Sequence, residues 1–138
     1  MTAIHGDIQK LSNEATGALV SLGEWLKQAS FKPVDGIAMC EETDRLKEEA
    51  NEFLRLFARQ AKRSPTVETR ITAAHFRDPY KIPVPKGSSI DVIPVRHVDN
   101  TNPSILGQDV KLGSYIHLEQ DTKIEPEFYA ILLLSKAQ

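Results

Sequence analysis

Apolar residues in the first part of the chain recur at alternating spacings of four and three, as in a helix that packs against a neighbour. The residues at these spacings are Ile4, Ile8, Leu11, Ala15, Ala18, Leu22, Trp25 and Ala29. This heptad-like pattern predicts one long first helix. The segment from Ser30 to Gly36, which contains Pro33, interrupts the pattern and predicts a connection to the next element.

A second helix is predicted by an apolar face and by a gradient of charge. The apolar positions are Leu46, Ala50, Phe53, Leu54, Phe57 and Ala61. The early turns are acidic and the last turns are basic, with Glu41, Glu42 and Asp44 followed by Arg55, Arg59, Lys62 and Arg63. This order suits the helix dipole, which favours anions at the N-terminus and cations at the C-terminus. Ser64-Pro65 ends the helix, because the residue before a proline avoids the α conformation.

Proline separates this helical half from a second half that we expect to form β-strands. Of the eight prolines, only Pro33 lies before residue 65. Because proline is excluded from helix interiors but tolerated in turns, bulges and edge strands, residues 65–138 are predicted to be β-rich. One bulge is predicted near Pro94, within the strand from Ile90 to Val98.

Two strands of this half are predicted to differ in their surroundings. Tyr80, Ile82 and Val84 alternate with Lys81 and with prolines, which predicts an edge strand or an extended arm. Residues 128–134 are apolar at every position and predict a central strand that is covered on both faces. The helices can cover one face, so a second layer or a partner subunit must cover the other.

These patterns together predict an α+β fold, in which an N-terminal helical hairpin (residues 1–64) precedes an antiparallel β-sheet or small β-sandwich (residues 65–138). The length of 138 residues predicts a single domain, 1–138. The first ten residues lack the apolar segment of a signal peptide, and the longest apolar run is too short to span a bilayer. We therefore expect no membrane contact and a cytoplasmic location, or a place in a virion.

Composition and charge narrow the classes of function. Seventeen basic and nineteen acidic residues give a net charge of −2, so we expect no nucleic-acid partner. The single cysteine, Cys40, excludes an internal disulfide and a cysteine-rich zinc site, and Glu41 and Glu42 beside it should raise its pKa. We expect neither a metal nor a cofactor.

An enzymatic alternative rests on residues of the β-rich half. Glu68, Arg96, His97 and His117 are the residue types that metal-independent RNA cleavage requires. That reaction needs a base for the 2′-hydroxyl, an acid for the leaving oxygen and a cation for the phosphate. Helices ahead of an antiparallel sheet that bears such residues resemble the layout of barnase- and RelE-like toxins. The resemblance implies a toxin-like endoribonuclease.

A second alternative rests on two short motifs. The segment 102–107 matches N-x-S-x-x-G, and the segment 59–63 matches R-x-x-x-R. Both are similar to motifs of PilZ domains, which bind cyclic di-GMP. The resemblance implies a cyclic di-GMP-binding module in which two guanidinium groups hold phosphates and the loop offers polar contacts. The residues concerned are Arg59, Arg63, Asn102, Ser104 and Gly107.

Our leading hypothesis is an assembly protein, and it rests on apolar residues that are predicted to contact partner chains. Partner contacts are predicted through the first helix, at Leu11, Leu22 and Trp25, and through the edge strand, at Tyr80, Ile82 and Val84. The alternative for the first helix is that its apolar face packs on the second helix of the same chain. We therefore expect a non-catalytic, homo-oligomeric structural or assembly protein that associates with itself and with other protein subunits. A bacteriophage virion component, such as a decoration or connector subunit, is one concrete version.

Overall fold

A computed structural model describes residues 6–34, 37–61 and 68–136, which form two helices and eleven strands. The helices are α1 (Asn13–Leu26) and α2 (Thr43–Ala61). The strands are β1 (Asp7–Lys10), β2 (Phe31–Val34), β3 (Ile37–Cys40), β4 (Glu68–Phe76), β5 (Tyr80–Ile82), β6 (Ser88–His97), β7 (Ser104–Ile105), β8 (Gln108–Asp109), β9 (Ser114–Leu118), β10 (Thr122–Glu125) and β11 (Phe128–Lys136).

The described strands form two antiparallel sheets, and the predicted α+β class is confirmed. A seven-stranded sheet has the order β1-β9-β6-β11-β4-β3-β2, and a four-stranded sheet has the order β5-β10-β7-β8. Helices α1 and α2 pack on one face of the larger sheet, which we call the helix face. The smaller sheet packs on part of the opposite face, which we call the back face. Two apolar cores therefore lie on either side of one sheet.

Strand β11 is the central strand that the apolar run predicts. It pairs with β4 on one side and with β6 on the other. Ile131 and Leu133 pack against the helices, whereas Phe128, Ala130 and Leu132 pack against the smaller sheet. The second layer that this strand requires is thus supplied by the chain itself. The bulge near Pro94 is also confirmed, since the β6–β11 register shifts between Tyr129 and Ala130.

The predicted first helix is too long at both ends. Ile8 belongs to strand β1, where it pairs with Ile116 of β9, and α1 begins only after Ser12. The side chain of Ser12 accepts a hydrogen bond from the Ala15 N–H, so it caps the helix there. Ala29 lies beyond the C-terminal cap at Lys27, and Ile4 lies outside the described residues.

The predicted connection between the helices is a β-hairpin in its described part. Strand β2 pairs antiparallel with β3, with Phe31 opposite Cys40 and Val34 opposite Ile37. Pro33 is tolerated because β2 is the last strand of the larger sheet and needs hydrogen bonds on one side only. The two helices still pack against each other. The predicted helix end at Ser64-Pro65 lies outside the described residues.

Candidate functional site

The helix residues predicted to contact a partner lie mostly inside the chain's own core. Leu11 and Leu22 are buried between the helices and the larger sheet, and Trp25 is half-buried beside them. These side chains complete the helix-face core as the chain is folded here. A partner contact through them stays a prediction.

The predicted edge strand is confirmed as an edge strand, but its side chains have different surroundings. Strand β5 is the first strand of the smaller sheet. Ile82 and Val84 are buried in the back-face core, whereas Tyr80 is half-buried. Prolines at 79, 83 and 85 flank and follow this short strand, and they protect its free edge from pairing with another strand. A contact here would use side chains such as Tyr80 rather than added backbone pairing.

The residues of the predicted ribonuclease site are not brought together. Glu68 is opposite Lys136 of β11 and His97 is opposite Phe128, so they lie eight positions apart along β11. At the rise of an antiparallel strand this is roughly 26 Å. His117 is buried on the helix face, whereas Arg96 and His97 are exposed at the far end of β6. No common phosphate position can touch all four residues.

The two halves of the predicted cyclic di-GMP site lie on different layers. Arg59 is exposed on α2, which packs on the helix face. Ser104 lies on β7 and Gly107 follows it in a turn, both in the smaller sheet on the back face, and exposed Asn102 precedes them. Arg63 lies outside the described residues. The larger sheet therefore separates Arg59 from the loop.

A buried acid–histidine pair is the most distinctive polar feature of the helix face. The Nδ1 of His117 donates a hydrogen bond to Oδ1 of Asp91 over 2.8 Å. The two residues are only 4% and 1% exposed. The Nε2 of His117 lies 3.5 Å from Oε1 of Glu119, which is nearer to solvent. Burying a carboxylate is costly unless it is paired, and His117 supplies the pairing.

Asp91 was missed by the sequence analysis, although one signal could have indicated it. It is a single charge between Ile90 and Val92 in a strand that is apolar on both sides of it. A charged residue in such a strand is buried only when a partner offsets the cost. The partner, His117, is 26 residues away on β9 and is joined to Asp91 by direct strand pairing.

A second polar cluster lies at the opposite end of the larger sheet. The Nε2 of His75 donates to Oε2 of Glu127 over 2.7 Å, and the His75 ring stacks on Tyr129 with centroids 4.0 Å apart. The guanidinium of Arg96 lies 5.3 Å from the centre of the Tyr129 ring, and Phe31 meets that ring edge-on. Ring stacking and a cation–π contact stabilise this end of β11. Because the ring of Tyr129 already has these three neighbours, the cluster is a packed structural unit.

The back face carries an apolar strip that the smaller sheet leaves uncovered. We define the back strip as Val34, Met39, Thr72, Tyr80 and Leu134, which line one groove of about 200 Å³. Val34 and Leu134 are 39% and 37% exposed, whereas the large apolar side chains that the smaller sheet covers on this face are buried. Basic side chains of Lys32, Arg70 and Lys136 are exposed around it.

The thiol of Cys40 is a poor nucleophile in the folded chain. Burial raises the pKa of the Cys40 thiol above its ordinary value, and the charges of Glu42 and Glu41 raise it further. The thiolate is the reactive form, so a raised pKa lowers reactivity at neutral pH. The predicted rise of the Cys40 pKa is confirmed, but burial raises this pKa more than the charges of Glu41 and Glu42 do.

We expect Cys40 to react with a disulfide reagent such as Ellman's reagent at pH 8 at least a hundredfold more slowly in the native protein than in urea. The raised pKa also makes stability fall as the pH rises past about 9, because the unfolded chain then ionises its thiol first. Urea unfolding between pH 7 and pH 10 measures this, with Cys40→Ala as the control that lacks the contribution. Equal labelling rates in native and unfolded protein would contradict the burial of this thiol.

Two general features of the described part of the chain bear on function. Neither α1 nor α2 is both long enough and apolar enough to cross a bilayer. Within residues 6–34, 37–61 and 68–136, no three histidine, cysteine or acidic side chains are placed to share a metal ion.

No model of a known protein family and no curated protein matches this chain.

Proposed function

We propose that this chain is a non-catalytic, homo-oligomeric assembly protein whose copies associate through the back strip. The single observation that carries the proposal is the exposure of Val34 and Leu134, two large apolar side chains, in one groove on the part of the back face that the smaller sheet does not cover. An exposed apolar patch rimmed by polar residues is typical of protein–protein contact surfaces. Covering this strip would remove from water the apolar surface that the smaller sheet leaves open.

Charge identifies the surface of the second copy that fits the back strip. The strip is rimmed by Lys32, Arg70 and Lys136, so two strips facing each other would bring like charges together. In the first turns of α2, exposed Arg45 pairs with Glu49 and Lys47 is an exposed cation, but the exposed side chains of Asp44 and Glu48 make no ion pair with a described residue. They lie four residues apart, on one side of the helix. We therefore assign the partner surface to the N-terminal half of α2 in the next copy.

Such a contact joins two different surfaces, so it is head-to-tail. Head-to-tail contacts close into rings when the rotation between copies allows it and otherwise form open filaments. A decoration or connector subunit of a bacteriophage virion is the finer version of this proposal, because such subunits act through repeated contacts between copies. The proposal concerns assembly and requires no catalytic group.

The test is the solution mass by light scattering after size exclusion, over a hundredfold range of concentration, for three proteins. The wild type should form oligomers. A rim variant, Lys32→Glu with Arg70→Glu, and a helix variant, Asp44→Lys with Glu48→Lys, should each lose association at least tenfold. An equal mixture of the two variants should recover it, because every reversed rim then meets a reversed helix.

Each outcome decides one part of the proposal. A wild type that stays monomeric at all concentrations overturns the assembly function. A helix variant that associates normally, beside a rim variant that does not, overturns the head-to-tail arrangement. Asp44→Lys also removes an acidic residue from the first turn of α2, so thermal melting of each variant checks that the fold is retained.

A further inference from the structure

A hollow of about 330 Å³, which we call the end hollow, lies at one end of the larger sheet beside the back strip. Its lining contains two cations, Arg70 and Lys136, and three serines, and none of the lining residues that the structure describes is acidic. Apolar walls are formed by Pro83, Pro85 and Leu134. At about 30 Å³ per water, the hollow has room for a ligand of roughly ten non-hydrogen atoms.

The strand register places both cations on the back face. Arg70 of β4 is opposite Leu134 of β11, and Lys136 follows Leu134 by two residues, so it lies on the same side of that strand. Diagonal neighbours of this kind lie roughly 7–8 Å apart, within reach of one anion held by both side chains. Both are exposed, and neither makes an ion pair with a side chain that the structure describes. Because two like charges at this distance repel each other, an anion between them is favoured.

One acidic residue lies close to these cations in the register. Glu68 is opposite Lys136 and precedes Arg70 by two residues on β4. Two cations against one acidic residue still leave the end hollow positive, and its field attracts anions most strongly at low ionic strength. Glu68 competes with a ligand for Lys136, so Arg70 is the principal cation of the site.

Two serine hydroxyls provide further donors that the described part of the fold does not use. Ser88 is opposite Lys136 of β11, and Ser89 is the next residue of β6. Both serines are half-buried, and neither hydroxyl makes a hydrogen bond with a described residue. The guanidinium fork of Arg70, the ammonium of Lys136 and these hydroxyls offer more donors than the roughly four acceptor positions of a carboxylate can use. A phosphate monoester has three acceptor oxygens and a charge of about −1.5 to −2 at pH 7, which matches this set of donors better.

We infer that the end hollow binds a phosphate monoester with a small apolar body, and that the bound ligand opposes self-association. The phosphate is held by Arg70, Lys136 and Ser88, and the apolar body lies against Pro83 and Pro85. Arg70 and Lys136 also belong to the rim that receives the acidic turns of α2 from the next copy, so one copy cannot hold both partners there. The effect on association rests on the proposed function, whereas binding of the ligand does not.

The binding test uses a neutral helix variant, Asp44→Asn with Glu48→Gln, which removes the competing acidic groups without adding positive charge. Titration calorimetry at pH 7.5 compares phenyl phosphate, benzoate and benzyl alcohol, which share a phenyl ring, with inorganic phosphate, which has none. Phenyl phosphate should bind at least tenfold more tightly than benzoate, and benzyl alcohol should not bind measurably. Inorganic phosphate should bind more weakly than phenyl phosphate, and equal binding of the two would overturn the role of the apolar walls.

Single changes in the neutral helix variant locate the ligand. Arg70→Gln should weaken the binding of phenyl phosphate at least tenfold, whereas Glu68→Gln should strengthen it, because Lys136 then loses its acidic neighbour. Arg77→Gln is the matched control, at an exposed cation just beyond the other end of β4, and should leave binding unchanged. Absence of binding, or equal affinity in the Arg70→Gln variant, overturns the site whether or not the wild type assembles. Thermal melting of each variant checks that it is folded.

The effect on association is measured with the wild type by light scattering, at constant ionic strength, with phenyl phosphate or benzyl alcohol present. Phenyl phosphate should raise the protein concentration needed for association at least threefold, and benzyl alcohol should not change it. Binding without this change overturns the competition but not the site. A wild type that is monomeric without any ligand overturns the proposed function and the competition together, and calorimetry on the neutral helix variant then decides the site separately.

Discussion

Replacing Leu132 with alanine is expected to lower the free energy of unfolding by about 3–5 kcal/mol. Leu132 lies on the central strand β11, is almost fully buried, and packs against the smaller sheet. The change removes three buried carbons at the base of the groove that the back strip lines, and the two sheets cannot close over the space without moving strands. A domain of this size has roughly 5–15 kcal/mol of stability, so the loss is a large part of the total.

Leu134→Ala is the matched control for this prediction. It is the same residue type on the same face of the same strand, two residues further along, but it is partly exposed at the back strip. We expect a loss of about 1 kcal/mol, since less apolar surface returns to water. Urea unfolding of both variants at one low protein concentration measures the difference. Equal losses would contradict the assignment of Leu132 to the buried back-face core and of Leu134 to the exposed strip.

Replacing Asp91 with alanine is expected to lower the free energy of unfolding by about 3–5 kcal/mol, because it breaks a buried pair from one side. The imidazole of His117 then stays buried without the carboxylate to which its Nδ1 donates. Asp91→Asn should cost only about 1–2 kcal/mol, since the amide oxygen still accepts that hydrogen bond.

A double-mutant cycle checks that the loss comes from the pair. Asp91→Leu combined with His117→Phe replaces both polar groups by apolar ones and should be more stable than the sum of the single changes predicts, by at least 1 kcal/mol. Losses for Asp91→Ala below 1 kcal/mol, or single changes that simply add, would show that the two side chains are not energetically coupled.

The elements predicted well from the sequence are those whose signal is local. The apolar positions of α2 recur within a few turns, and its charge gradient runs along that one helix. The prolines around Tyr80 indicate an edge strand without any knowledge of the strand with which it pairs. The run from Phe128 to Leu134 is apolar at every position, which is typical of a short strand covered on both faces. Each of these inferences needs information from one segment only.

The errors at the start of the chain have a common cause. Ile8 fits a helical spacing and equally fits the edge strand β1, because a strand of four residues has too few positions to show its own period. The cap at Ser12 decides where α1 begins, and pairing with β9 decides that the preceding residues are a strand. The same holds for β2, whose proline is compatible with a loop or with an edge strand.

By itself the sequence determined the α+β class, the second helix, the central strand and its need for two covering layers, because periodicity and proline act within a segment. Only the tertiary structure decided which polar residues meet. Asp91 reaches His117 across 26 positions and His75 reaches Glu127 across 52, through strand register that no local pattern encodes. The tertiary structure also decided that the smaller sheet does not cover Val34 and Leu134. The area that one sheet covers on another depends on where both sheets lie in space.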